Sequence, residues 1–469
     1  MDIELKNIAL IEEGNLELKG ITLIADENDS GKSTIGKTLF TTLTTLNNFE
    51  KEFLTSLSQR VIRVSFLLKE LLDDRLKNEI KSTNEPLLEK ITKIIKNLDN
   101  FNNKINHNFI KIEINDKAFK ALEKIFLELI EETDVLKQDL ENYIKKLNEE
   151  NSLMLQNISF FVDTLTTFLS LKVIFNYEKI KISSFQSTFN REFKNNIGNV
   201  FLKKEESYVK LDEKDEIIEI NIENSNILKV NYGKIKEKNN TIYIESPLIL
   251  DYIEEICQNF QSFISITDKN YRAKILKKAL ENEKKIDIVD TVLGKEELYK
   301  DLLDRIHKII LGEFEYNKSN KDFIYRKQGY TFDKKNVATG IKSFGIIEIL
   351  LKNKQLDENT ILIIDEPEVH LHPKWQIKYV EILILISKEL GVKILLNSHS
   401  PYLIRAMEVY RKTYNYEDNI KFYTLTDCTE GKSKKLIDVT NNLNQIFDKL
   451  IEPYEILREV DERYSDDGW

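Results

Sequence analysis

The sequence predicts an α/β protein: a mainly parallel sheet with added antiparallel strands, interrupted by a long helical insertion. Three observations carry that prediction. Toward the C-terminus, apolar strand runs alternate with helix-length segments, the pattern of parallel strands joined by helical crossovers. The N-terminus opens with short apolar bursts, Ile3, Leu5 and Ile8, then Leu16 and Leu18, then Ile21 to Ala25. From Gly36 to Gly198 there is no glycine, and Pro86 is the only proline. So long a stretch without either breaker reads as helix.

Taken in order, Gly14 and Gly20 separate two or three short strands, the last ending in a loop at Asp26–Gly31. A helix is expected to start near Lys32 and run toward Leu46. Within the insertion, Leu122, Ile125, Phe126, Leu129, Leu136, Leu140, Tyr143 and Leu147 recur at three- and four-residue spacing. That spacing predicts a helix over Lys117–Glu150, on the order of 50 Å long at 1.5 Å per residue. It suits an antiparallel coiled coil, a small bundle or an ordinary core-facing helix. Strand patterns return from about Tyr208, and a helical region follows from Pro247 to about Leu311. A hairpin-like stretch is expected over Phe314–Phe332. The rest reads as helix (Ser343–Leu351), strand (Thr360–Ile364), helix (Pro373–Leu390), strand (Lys393–Asn397), helix (Tyr402–Tyr410), strand (Lys421–Leu425) and a helical tail to Trp469.

Composition excludes several function classes. The 469 residues allow about three domains at roughly 150 residues each. With 69 Lys and Arg against 79 Asp and Glu, the net charge of −10 argues against a wholly basic nucleic-acid binder. It leaves a local basic patch open. Two cysteines, Cys257 and Cys428, cannot build a disulfide scaffold or a four-cysteine zinc site. They fit a reducing cytoplasm. No secretory signal pattern opens the chain. The most apolar stretch, Ile158 to Tyr177, is broken by Asp163 and Lys172, so no membrane span is expected and the location expected is cytoplasmic.

Four short motifs carry chemistry. Asp26-Glu-Asn-Asp-Ser-Gly-Lys-Ser-Thr34 matches G-x-x-x-x-G-K-[ST] except that Asp26 stands where the first glycine belongs. Such a loop wraps backbone N–H groups of Asn28, Asp29, Ser30, Gly31 and their neighbours around phosphates at a helix N-terminus. Lys32 would reach the β- and γ-phosphates, and Ser33, followed by Thr34, would bind Mg²⁺. For Asp26 two orientations are open: its carboxylate faces the phosphates and weakens binding, or it turns outward and the loop keeps its shape. Second, Ile361-Leu-Ile-Ile-Asp-Glu366 is a buried-type strand ending in two carboxylates. Asp365 would hold Mg²⁺ and Glu366 would polarise an attacking water as general base. Third, the apolar strand Ile394-Leu-Leu-Asn-Ser-His399 ends at a histidine able to bond the γ-phosphate and that water. Fourth, Thr339 and Gly340 precede a helix, and a small hydroxyl and a glycine there can contact a phosphate.

This order of motifs resembles the ABC-type ATPase superfamily, in the branch with SMC, RecF and OLD-like proteins. The run from Asp365 to Pro373, with Glu366, Pro367, Leu371 and His372, resembles OLD-like and defence-associated ATPases. The resemblance covers roughly the first 50 and last 140 residues. It implies an ABC-ATPase head using ATP and Mg²⁺, with Thr339 and Gly340 as the signature motif, acting on a partner protomer's nucleotide. It implies self-association through ATP-sandwiched heads, a homodimer or higher. It also places Glu245, in Tyr243–Pro247, at a connection that senses metal or nucleotide. His370 and His372 are read as shaping the start of the helix at Pro373 rather than binding metal.

The resemblance divides the chain into residues 1–50 (the phosphate-loop part of the head), 51–198 (helical insertion), 199–250 (strands rejoining the head), 251–311 (helical subdomain) and 312–469 (the remaining motifs). About 70 residues follow His399, which leaves no expected room for the Toprim nuclease domain of OLD proteins. Stand-alone heads of this kind resemble ATPase subunits of two-gene bacterial antiphage systems, the Septu (PtuA-like) and PARIS (AriA-like) types, which implies a separately encoded nuclease effector. Two other readings are open: a RecF- or SMC-like repair ATPase that clamps DNA, and a nucleotide-locked scaffold with little turnover.

Overall fold

The computed structural model describes residues 1–106, 116–147, 152–173, 176–202, 206–214, 216–233, 239–257, 270–284, 295–317, 319, 322–428 and 431–466. The end of the helix expected to reach Glu150, the end of the tail at Trp469 and the Cys257 side chain lie outside them. The chain divides into two compact units, one of Met1–Asn47 with Phe185–Trp469, the other of Asn48–Ser184. Helices α1 (Lys32–Leu71) and α5 (Tyr177–Phe193) contribute residues to both.

The first unit begins with β1 (Asp2–Ile8), β2 (Ile11–Glu17) and β3 (Ile21–Ala25) and continues after α5 with β4 (Ser207–Glu213), β5 (Glu216–Glu223), β6 (Asn226–Tyr232) and β7 (Asn240–Ile244). Helices α6 (Ile249–Cys257), α7 (Tyr271–Glu281) and α8 (Lys295–Ile310) follow, then β8 (Glu313–Asn317), β9 (Asp322–Lys327) and β10 (Tyr330–Asp333). Then come α9 (Thr339–Lys352), β11 (Thr360–Asp365), α10 (Pro373–Leu390), β12 (Lys393–Ser398), α11 (Pro401–Thr413), β13 (Ile420–Cys428), β14 (Ser433–Asp438) and α12 (Asn444–Asp466). An 11-stranded sheet has the order β6-β5-β4-β1-β2-β14-β13-β3-β12-β11-β7.

The sheet is mixed. From β13 through β3, β12 and β11 to β7 every pairing is parallel. Here β3 and β11 are buried at every position, as strands covered on both faces must be. From β6 through β5, β4 and β1 to β2 every pairing is antiparallel, and burial alternates along the strands. Strand β14 joins the halves, antiparallel to β13 and parallel to β2. It was not foreseen: its sequence, Ser-Lys-Lys-Leu-Ile-Asp, buries only Ser433 and Leu436 and shows no alternating apolar signal. The hairpin expected over Phe314–Phe332 is a separate three-stranded sheet, with the exposed β10 as its added edge. Helix α9 starts at Thr339, four residues before the expected start.

The second unit is helical. Helix α1 runs on to Leu71, well past Leu46, because nothing in it breaks the helix before Asp73 caps the next one by accepting from Leu76 N (2.7 Å). Helix α2 (Asp74–Lys104) is kinked at Asn84, two residues before Pro86, which cannot donate to the helical ladder. Helices α3 (Asp116–Ile144) and α4 (Ser152–Leu169) complete it. The α2–α3 pair is antiparallel: Lys90 meets Asp139 (2.5 Å), Lys93 meets Glu132 (2.9 Å), and the Phe101 ring lies tilted against Phe126 (5.5 Å between centroids). Among the described residues, no single helix is long and apolar enough to cross a membrane.

One buried network ties α8 to α9. Glu348 is fully buried; its Oε1 meets His307 Nε2 (2.9 Å) and Lys352 Nζ (2.8 Å), and its Oε2 accepts from Phe314 N (3.0 Å). His307, Glu313 and Glu348 are close enough to share a metal, but the Lys352 ammonium already bonds both carboxylates. The bond from Glu348 raises the His307 pKa above its ordinary 6.5. The charged pair therefore stabilises the fold fully below about pH 6.5 and loses that contribution as pH rises through the raised value. Replacing His307 with Gln is expected to remove about 1 kcal/mol at pH 6 and little at pH 9, read by urea unfolding at both values. Equal losses at both would contradict this.

Candidate functional site

The parallel register gathers the motifs. Ala25, at the end of β3, pairs with Ser398 on β12, and Asp365, at the end of β11, pairs with Asn397. The loop after β3, the two carboxylates at the end of β11 and the histidine after β12 therefore lie side by side at the carboxyl ends of adjacent strands. That edge is where open α/β sheets place ligands.

The loop is shaped to expose backbone. Asp29 and Gly31 hold positive φ, 60° and 95°. Asn28 and Asp29 are exposed, Ser30 is buried and Ser33 is half-buried. Ser30 Oγ donates to Glu27 O (2.9 Å), and Thr34 N to Gly31 O (3.0 Å). Gly36 lies where a Cβ would stand 3.1 Å from Ile363 Cγ2, so the first turn of α1 packs tightly on β11. Left-handed residues before a helix N-terminus form a concave set of N–H donors suited to an anion.

Lys32 is buried, and its ammonium donates to Asp26 O (2.9 Å) and Glu27 O. Burial lowers its pKa; the carboxylates of Asp26, Glu366, Glu368 and Asp365 oppose that shift. Asp26 is buried, and its carboxylate turns toward β13 and α12. Its Oδ2 accepts from Leu425 N (2.7 Å), Thr424 Oγ1 (3.1 Å) and Lys449 Nζ (3.0 Å), and its Oδ1 accepts from Glu27 N (2.8 Å). The residue in place of glycine thus ties the loop to β13 and α12. Asp26→Gly is expected to cost about 1–3 kcal/mol of stability and not to tighten ATP binding, read by melting and nucleotide titration. Tighter binding would show that the carboxylate opposes the phosphates.

Asp365 is buried with both oxygens engaged. Tyr243 Oη donates to Oδ2 (2.5 Å), and Asn397 Nδ2 donates to Oδ1. Burial, and then the Asp365 charge, push the Tyr243 pKa well above 10, so the hydroxyl stays a donor. Glu366 takes a left-handed backbone (φ 44°) and is partly exposed; its N donates to Asn397 O (2.9 Å). His399 Nδ1 lies 3.9 Å from Glu366 Oε1 and 3.2 Å from Glu368 Oε1. Glu368 is buried, and its Oε1 accepts from Ser398 Oγ (2.8 Å) and His399 N (2.6 Å).

Thr339 and Gly340 are not joined to the phosphate loop by any hydrogen bond among the described residues. A Cβ on Gly340 would stand 3.1 Å from His370 O and 3.4 Å from Trp375 Cε3, so this helix start packs on the loop after Glu366. His372 caps α10, its Nδ1 accepting from Lys374 N (3.3 Å). Glu245 is exposed and lies 3.5 Å from Arg272, whose guanidinium stacks over Tyr243 (4.9 Å). Sequence reasoning gave no role to Tyr243, Asn397, Glu368 or Arg272. No local motif displays them: Tyr243 and Asn397 reach Asp365 through strand register, Glu368 lies in the loop after β11 and Arg272 on α7.

The donor set fits a hard divalent cation, since Ser33 and Asp365 offer a hydroxyl and a carboxylate. A single buried ammonium among four carboxylates likewise suits a cation-bound polyphosphate.

A model of the family described as "AAA domain, putative AbiEii toxin, Type IV TA system" matches residues 27–405, more than half the chain. The chain belongs to this family. The matched span holds all four motifs except Asp26. No curated protein sequence matches the chain. Similar solved structures include the SMC head domain from Thermotoga maritima, at 8% identity and TM-score 0.36, covering 93% of this chain and 98% of that one. Another is an SmcHead bound to the C-winged helix domain of ScpA, at 9% identity and TM-score 0.36, covering 95% and 98%. A third is an Smc head with an extended coiled coil from Pyrococcus furiosus, at 10% identity and TM-score 0.28, covering 98% of each.

Proposed function

We propose that the chain binds and hydrolyses ATP with Mg²⁺, as the ATPase subunit of a bacterial antiphage complex with a separately encoded nuclease. The observation that carries the catalytic reading is the register that sets Lys32, Asp365 with Glu366, and His399 on one sheet edge. Backbone N–H groups of Asn28 to Thr34 orient the phosphates, and Lys32 neutralises the β- and γ-phosphates. Ser33 and Asp365 hold Mg²⁺, which when bound offsets phosphate charge. Tyr243 and Asn397 fix the Asp365 carboxylate. Glu366, partly exposed, accepts the proton of the attacking water, and His399 accepts a hydrogen bond from that water beside the γ-phosphate. Thr339 and Gly340 serve the nucleotide of a second copy, so that two heads enclose two ATP molecules.

The defence role is supported by the resemblance of the Asp365–Pro373 run and by a family description that names a putative toxin of a type IV TA system. Both favour a chain that works beside another gene product. The test is a pull-down of the tagged chain from its native host with Mg²⁺ and ATP, partners identified by mass. A stoichiometric protein with nuclease chemistry is expected. Nuclease-sensitive DNA without a protein partner would favour the DNA-clamping reading instead.

A further inference from the structure

The loop after β11 carries one buried carboxylate that the proposed mechanism does not use. Glu368 has a side chain 5% exposed, and its Oε2 has no hydrogen-bond partner among the described residues. Its Oε1 lies at hydrogen-bond distance from three groups of the Ser398-His399 segment: the serine hydroxyl, the His399 amide and, at 3.2 Å, the His399 ring Nδ1. Burying a carboxylate costs several kcal/mol unless its charge is answered. A neutral glutamine could accept from the hydroxyl and the amide equally well. Beyond its longer-range attraction to Lys32, the ring is the contact within hydrogen-bond reach that gives the charge a use.

We propose that Glu368 is a positioning residue for His399, holding the imidazole with its proton on Nδ1 and leaving Nε2 as the nitrogen able to accept. This rests on the ATPase reading of the site. An unprotonated Nδ1 would set a nitrogen lone pair 3.2 Å from a carboxylate oxygen, a repulsive contact; a proton there turns it into attraction. Nδ1 is also the buried side of a ring that is 37% exposed, so the accessible part of the ring carries Nε2. The contact is close but misaligned as a hydrogen bond, and a small rotation of the ring completes it. Glu366 lies farther off, at 3.9 Å, so Glu368 dominates the choice of tautomer.

The test combines a spectrum with a mutant cycle on the full chain. In ¹⁵N-histidine-labelled protein, with His399→Ala used to assign the signal, wild-type His399 is expected as the Nδ1–H tautomer. In Glu368→Gln it shifts toward Nε2–H. Phosphate release in Glu368→Gln is expected to fall on the order of 10-fold or more at unchanged ATP affinity. In a His399→Ala background Glu368→Gln should lower it no further. An Nε2–H tautomer in the wild type overturns the proposal, as does a second fall in the double variant, which would make Glu368 a support for the loop alone. If His399→Ala leaves turnover untouched, the catalytic reading of His399 fails, while the tautomer spectrum still decides whether Glu368 holds the ring.

Discussion

Glu366→Gln lowers phosphate release from ATP by on the order of 10²- to 10⁴-fold while leaving ATP bound. Glu366 is the site carboxylate with room to act on a water. Asp365 has both oxygens committed to Tyr243 and Asn397, and Glu368 is buried against Ser398 and His399. Glu366 stands partly exposed at the strand end, with a backbone turned to φ 44°. Glutamine keeps the shape and removes the proton acceptor, so binding survives and chemistry does not. Single-turnover phosphate release beside nucleotide affinity separates the two. Equal, measurable turnover in both proteins would remove Glu366 from the mechanism. Equal absence of turnover would favour the nucleotide-locked scaffold.

Lys32→Ala loses ATP binding by roughly 100-fold or more, about 3 kcal/mol of charge-assisted contact to phosphate. The ammonium is buried, and Asp26, Asp365, Glu366 and Glu368 all act on it. Removing it leaves Asp365 and Glu366 beside a polyanion without that cation. Two loop carbonyls, of Asp26 and Glu27, also lose a donor, so a melting curve must accompany the titration. A folded variant that still binds ATP tightly would mean that the loop does not hold phosphate.

What the sequence makes legible here is local. The glycine-lysine loop, the aliphatic run before Asp365 and the one before His399 each declare a strand end and a chemistry within a dozen residues. The parallel core follows from the same runs, because strands buried on both faces are apolar throughout. What it hides depends on pairing between distant segments. Tyr243 reaches Asp365 because β7 and β11 pair in register, and Asp26 turns toward β13 because that strand offers it the Leu425 amide and α12 offers it Lys449. Glu368 reads as a surface residue in a charged run until β12 is laid beside it. Strand β14 escapes for another reason: it is held by its neighbours, not by its own apolar content. The length of α1 was available in principle, since nothing after Gly36 ends a helix until Asp73 caps the next.

The most direct measurement is a calorimetric titration of the unmodified chain with ATP, first with Mg²⁺ and then with EDTA. Saturable binding at one site per chain, weakened when Mg²⁺ is removed, is the predicted result. No binding in the presence of Mg²⁺ would contradict the assignment of this sheet edge as a nucleotide site.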